Sequence, residues 1–215
     1  MTRSLRLPDA PVAADDGRMS APSAQRNRAA IVEVVSDHAP GSGRALEIAS
    51  GTGEHVVAMA VAMPGLHWQP TDIDAQRRRS TDAWVAAEGL DNVAPAGHLD
   101  AAVPGWATPG PPCDLIVLVN LLHLIPAPAA RTVLTEIGGA LAPGGTALIY
   151  GPFLRNGQAT SEGDRAFDAS LRAQDSAIGY KDAGWVRDVM STAGLTCAEE
   201  REMPANNLAF AFRKP

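Results

Sequence analysis

The chain has 215 residues, 46% of them hydrophobic and 20% charged, the size and composition of one globular domain, and its length gives no case for two. A net charge of −6 and a pI near 5.3 argue against a nucleic-acid partner, because phosphate binding needs a dense basic surface. Cys113 and Cys197 are far apart and lack His or Cys neighbours at metal spacing, so no metal or disulfide framework is expected; no apolar run suggests a membrane span or signal peptide, and a cytoplasmic enzyme is the expectation.

Residues 1–19 carry Pro8 and Pro11 and no periodic apolar face, which predicts a flexible arm ahead of a domain over residues 20–215. Ser20 to Ser23 starts a helix that ends near His38, with the polar string Gln25-Arg26-Asn27-Arg28 read as its solvated first turn. Leu46 to Ala49 is the first strand. It ends beside Glu47 and breaks into Gly51 and Gly53 before a helix over residues 54–63. A dinucleotide loop would have a third glycine where Val56 stands, and no Gly-Lys-Ser/Thr closes a phosphate loop, so a nicotinamide oxidoreductase is disfavoured. What stays open is a nucleoside-binding turn or a plain strand-to-helix turn. Leu66 to Asp74 is a second strand ending in acid, roughly 20 residues on, where a carboxylate would accept from both ribose hydroxyls. Asp72 is the choice, and Asp74 is the alternative ligand or a helix N-cap.

A helix over Ala75 to Glu88 presents Arg77-Arg78-Arg79 as a solvated face, followed by a short third strand over residues 92–96. Asp100 lies beyond that strand and reads equally as an acceptor for an adenine amino group or as a turn aspartate. Asp114 to Asn120 is a buried central strand, residues 131–141 a helix capped by Pro143-Gly144-Gly145, and Thr146 to Tyr150 the fifth strand. The alternation predicts an α/β fold with a parallel sheet. The loop over residues 151–158 leaves the carboxyl edge of that strand, where substrate should sit. Two more helices, over 167–173 and 183–193, precede strands at 195–201 and 208–213, whose hairpin connection adds one antiparallel strand.

Glu47, Gly51, Gly53, Asp72, Asp100, the Asp114 strand and Pro143-Gly144-Gly145, in that order, resemble the class I S-adenosylmethionine (SAM)-dependent methyltransferases over residues 44–151. Ala24-Gln25-Arg26-Asn27, residues 46–55, Trp68 to Asp72, Tyr150 to Phe153, Phe167 to Arg172 and Glu202 to Leu208 further resemble the domain-of-unknown-function 938 family of methyltransferase-like proteins. The resemblance implies a single Rossmann-like domain with a mostly parallel seven-stranded sheet, one antiparallel strand near its C-terminus, and helices on both faces. It implies SAM held by Glu47, Ala49, Gly51, Gly53, Asp72, Ile73, Asp100 and Asn120, and a small-molecule acceptor with an oxygen nucleophile bound near Arg26, Asn27, Tyr150, Arg155, Asn156, Asn206 and Asn207.

His123 stands where the plant-type small-molecule O-methyltransferases, similar in spacing here, hold a catalytic histidine, and is the candidate general base. The aspartate that usually follows is Leu124, and packing alone is the competing role; Tyr150, His55 and Asp168 are weaker alternatives. The absence of an Asn-Pro-Pro-Tyr run after the fourth strand lowers the odds of amino-group methylation. A monomer or homodimer is expected. The rival function is a SAM-binding sensor without catalysis.

Overall fold

The computed structural model describes residues 10–108 and 110–215, so the first nine residues of the expected arm lie outside the described residues. The rest of that segment pairs β1 (Val12–Ala13) with β2 (Met19–Ser20) in an antiparallel hairpin. It is tied down where Ser80 Oγ accepts from Met19 N at 2.7 Å and Trp84 Nε1 donates to Met19 O at 2.8 Å.

The domain then alternates α1 (Pro22–His38), β3 (Gly43–Ile48), α2 (Glu54–Ala62), β4 (Leu66–Asp72), α3 (Ala75–Glu88), β5 (Gly97–His98) and β6 (Cys113–Val119). It continues through α4 (Ala127–Ala140), β7 (Leu141–Gly151), β8 (Phe153–Leu154), α5 (Glu162–Gln174), β9 (Lys181–Asp182), α6 (Ala183–Thr192), β10 (Thr196–Glu202) and β11 (Leu208–Arg213). Seven strands form one sheet in the order β10-β11-β7-β6-β3-β4-β5. Only β11 runs against the others, pairing antiparallel with both β7 and β10. The seven-stranded α/β sheet with a single reversed strand is thus the architecture expected from the sequence.

The aliphatic run of β6 explains its central place. Ile116 and Leu118 project to one face and pack with Val133, Leu134 and Ile137 of α4, while Leu115 and Val117 project to the other and pack with Ile31 and Val35 of α1 and Val56 and Met59 of α2. Every one of these side chains is fully buried, so the sheet is cored on both faces.

Two local expectations are corrected. The third strand does not run over residues 92–96: after a bridge between Trp68 and Val93, Pro95 offers no N–H to the ladder, and pairing resumes at Gly97–His98 opposite Thr71–Asp72. Pro143-Gly144-Gly145 does not cap α4, because that helix ends in extended backbone at Leu141, whose N–H donates to Ile137 O. Gly144, at φ 77°, instead lies in an irregularity of β7, where the register against β6 shifts from Cys113↔Leu141 to Leu115↔Thr146. Among the described residues no helix is long and apolar enough to cross a membrane.

Candidate functional site

The strand order reverses between β3 and β6, and the crevice outside their carboxyl ends is where open α/β sheets bind ligands. Both strands lead into a non-glycine residue held in the left-handed region, Ala49 at φ 57° and Asn120 at φ 56°. Such backbone costs about 1–3 kcal/mol and persists only where its surroundings enforce it. Asn120 is anchored by its N–H on Tyr150 O at 2.9 Å. Past Ala49 the chain turns on Gly51 and Gly53. A Cβ at Gly53, whose φ is 93°, would stand 2.6 Å from Thr81 Cα, so glycine there satisfies both the backbone and the close passage of α3. Val56, where a dinucleotide loop would have its third glycine, is core.

Two buried carboxylates flank this turn. Asp72, 1% exposed, accepts from Gly51 N at 3.0 Å through Oδ2 and from Asp74 N at 2.9 Å through Oδ1. Asp74 is the N-cap of α3, accepting from Gln76 N and Arg77 N. The arginine run expected on a solvated face partly braces this corner, with Arg78 Nη1 donating to Asp72 O at 2.8 Å and to Ile73 O at 2.9 Å. Ile73 itself is exposed at the strand end. Glu47 is also 1% exposed, and its Oε2 has no hydrogen-bond partner among the described residues. Burial pushes this carboxyl up to about 8, a hydrogen bond from Ser50 opposes the rise, and the Asp72 charge adds to it. A buried oxygen without a donor points to a missing one. Asp100 is half-buried and caps a turn, its Oδ1 accepting from Ala102 N at 3.1 Å.

Beyond the ends of β6 and β7 opens a cavity of about 500 Å³. The structure brings Arg26 and Asn27 of α1, Asn120, His123, Tyr150 and Asn207 together in its wall. Arg155, Asn156 and Asn206 lie outside it. Arg155 is drawn to Glu202 at 3.1 Å and bridges Gln158, while Asn156 and Asn206 occupy exposed left-handed turn positions. Among the wall residues that sequence reasoning passed over are Phe167, Asp164 and Tyr180. Phe167 sits within a resembling segment, Asp164 reads as the partner of the α5 N-cap Ser161, and Tyr180 follows Gly179 at a turn.

His123 is buried, with its ring centroid 6.0 Å from those of both Phe167 and Tyr180 in edge-to-face contact. Burial, and after it the Lys181 charge, push the imidazole down to about 3 against the opposing pull of Asp168. Lys181 donates to Ile125 O and Gly179 O, both at 2.8 Å, and burial lowers it to about 8. Behind Asn27, His55 Nε2 lies 2.8 Å from Asn27 Oδ1, and burial, followed by Arg28, takes His55 down to about 4. Tyr150 is raised above its usual range by burial, which the amides of Asn27 and Asn207 oppose. Among the described residues no cluster of three or more His, Cys, Asp or Glu could hold a metal ion.

A family model described as a protein of unknown function (DUF938) matches residues 18–214. Among solved structures, an O-methyltransferase family protein from Burkholderia thailandensis superposes with a TM-score of 0.76 at 21% identity, over 89% of this chain and 56% of that one. An O-methyltransferase family 2 protein from Planctomyces limnophilus, in complex with apigenin, gives 0.76 at 18% identity over 90% and 58%. PigF with SAH gives 0.66 at 20% identity over 80% and 50%. The chain therefore shares their fold and spans little more than half their length.

Proposed function

We propose that this chain, which belongs to the DUF938 family of proteins of unknown function, is a SAM-dependent methyltransferase acting on an oxygen nucleophile of a small-molecule acceptor. The observation that carries the reading is the pair of buried carboxylates, Glu47 with an unpartnered oxygen and Asp72 on the Gly51 amide, at the switch point of a methyltransferase-like sheet. These groups fit the cofactor's chemistry: hydroxyls and cationic groups for the carboxylates, and close backbone approach at Gly51 and Gly53. Ala49, Ile73, Asp100 and Asn120 complete the proposed cofactor cleft. The bound cofactor supplies a sulfonium-activated methyl group.

The chain's own work is then alignment, exclusion of water and handling of the acceptor's proton. Arg26, Asn27, Tyr150 and Asn207 are assigned to the acceptor, since all four line the cavity beside Asn120. Arg155, Asn156 and Asn206 would join only through movement of their turns. The depressed basicity of His123 weighs against a general base, because burial and the Lys181 charge make the imidazole a weak acceptor of a hydroxyl's proton. We assign His123 to shaping the wall with Phe167 and Tyr180.

That same feature favours a second reading, a SAM-binding sensor without turnover. Calorimetry with SAM, S-adenosylhomocysteine and NAD is the test, and binding of NAD alone would remove the proposal. Asp72→Ala should weaken SAM by about 1–3 kcal/mol, the loss of a buried hydrogen bond to a charged group. SAM binding with no turnover above a slow background that no metabolite pool stimulates would favour the sensor.

A further inference from the structure

We propose that Tyr150 donates its phenolic hydrogen to a carbonyl or carboxylate oxygen carried by an aromatic acceptor, and that His55 is a positioning residue acting on this contact through Asn27. The inference rests on the reading of the cavity as the acceptor site.

Asn27 lies on α1, buried, with its Oδ1 2.8 Å from His55 Nε2. Burial keeps the His55 ring neutral, so it carries one N–H, and an amide oxygen can only accept. The shared bond therefore places that hydrogen on Nε2 and fixes the Asn27 amide with its oxygen toward α2. The Asn27 N–H groups are left for the cavity. Asn207 is anchored by the opposite end of its amide, its Nδ2 donating one hydrogen to Pro204 O at 3.0 Å and keeping the second.

Both amides favour ionisation of the Tyr150 phenol, as N–H groups facing its oxygen do. Neither completes a hydrogen bond, and the buried hydroxyl has no partner among the described residues. The phenolic hydrogen has no acceptor among the described wall residues, so this phenol offers it to whatever docks there. Burial raises Tyr150 above its ordinary range, so it is a donor and not a base at neutral pH. A buried polar group left without a partner is unfavourable, and a ligand oxygen supplies one. Elsewhere in the same cavity Phe167, Tyr180 and His123 meet edge to face, a ring cluster suited to a planar aromatic body.

The test uses the full chain and two probes of similar size, 2-hydroxyacetophenone and 2-ethylphenol, which differ in the carbonyl. Each is titrated by saturation-transfer NMR with and without S-adenosylhomocysteine, whose own affinity is measured separately by calorimetry. The carbonyl probe is expected to bind about tenfold tighter, in keeping with one buried hydrogen bond. Tyr150→Phe should abolish the preference, His55→Phe should reduce it severalfold, and His55→Gln, which can still donate to Asn27, should restore it. Equal binding of the two probes, no binding of either, or a preference that survives Tyr150→Phe overturns the inference. If S-adenosylhomocysteine fails to bind while the preference holds, the methyltransferase reading falls and the Tyr150 contact stands; the reverse result sinks only the contact.

Discussion

Glu47 couples proton uptake to stability through one buried carboxyl and, on the proposed reading, to cofactor binding. Its carboxyl is held near 8 in the folded chain against an ordinary value of 4.5, so its contribution to stability is fully present below 4.5 and is lost as pH rises through 8. Glu47→Gln keeps the shape without the charge and is expected to raise stability at pH 8 by on the order of 3 kcal/mol in denaturant unfolding. The same substitution should weaken SAM. In the parent chain a cationic ligand meeting Glu47 must expel its proton below pH 8, so SAM affinity should climb between pH 6 and 8, by up to about tenfold per unit. Calorimetry in buffers of different ionisation enthalpy reads the released proton, and the pH dependence should vanish in Glu47→Gln. Glu47 and Asp72 were legible in the sequence because an acid at a strand end is a local pattern. The low basicity of His123 was not, because it depends on burial, with Phe167 of α5 against the ring, and then on Lys181, distant in sequence. Nor was the separation of Asn207, which faces the cavity, from Asn206, which turns out to solvent.

At the level of elements, the sequence pattern located α3 and β11 to the residue, because Asp74 and Gly89 bracket the first and the apolar run of the second ends at Arg213. It failed where a residue's role is set by a neighbouring strand. Pro95 moved β5 by interrupting a ladder with β4, and Gly144 serves a strand irregularity whose N–H donates to Lys214 O. The Gly51 to Gly53 turn is a junction of three elements, β3, α2 and α3. Gly53→Ala would carry the left-handed backbone penalty and push Thr81 aside, at about 1–3 kcal/mol. For a chain of this size that lowers Tm by roughly 2–4 °C per kcal/mol in calorimetry. SAM affinity should fall with it, since the turn carries the Gly51 amide held by Asp72.

The molecule as a whole holds two histidines neutral against their ordinary value of 6.5, His55 at about 4 and His123 at about 3. The unfolded chain takes up these protons first, so stability is lost as pH falls below 6.5. Glu47 changes stability in the opposite direction over part of that range, so the measurement is a difference between two proteins. His55→Gln should lose about 2 kcal/mol less than the parent between pH 6.5 and 5 in urea unfolding, and parallel curves would contradict a neutral buried His55. The topology was legible from alternation of strand and helix, whereas the cavity was not, since its wall draws on α1, β7, α5 and the segment before β11. The reversed strand has a consequence for the order of assembly. Of the seven strands, β11 is the last to be synthesised, yet it lies between β7 and β10. On the ribosome the earlier strands can gather around β6, but β7 keeps an open hydrogen-bonding edge, and Asn207 is missing from the cavity, until β11 arrives. A nascent chain is therefore exposed to edge-to-edge pairing up to the same event that completes its site.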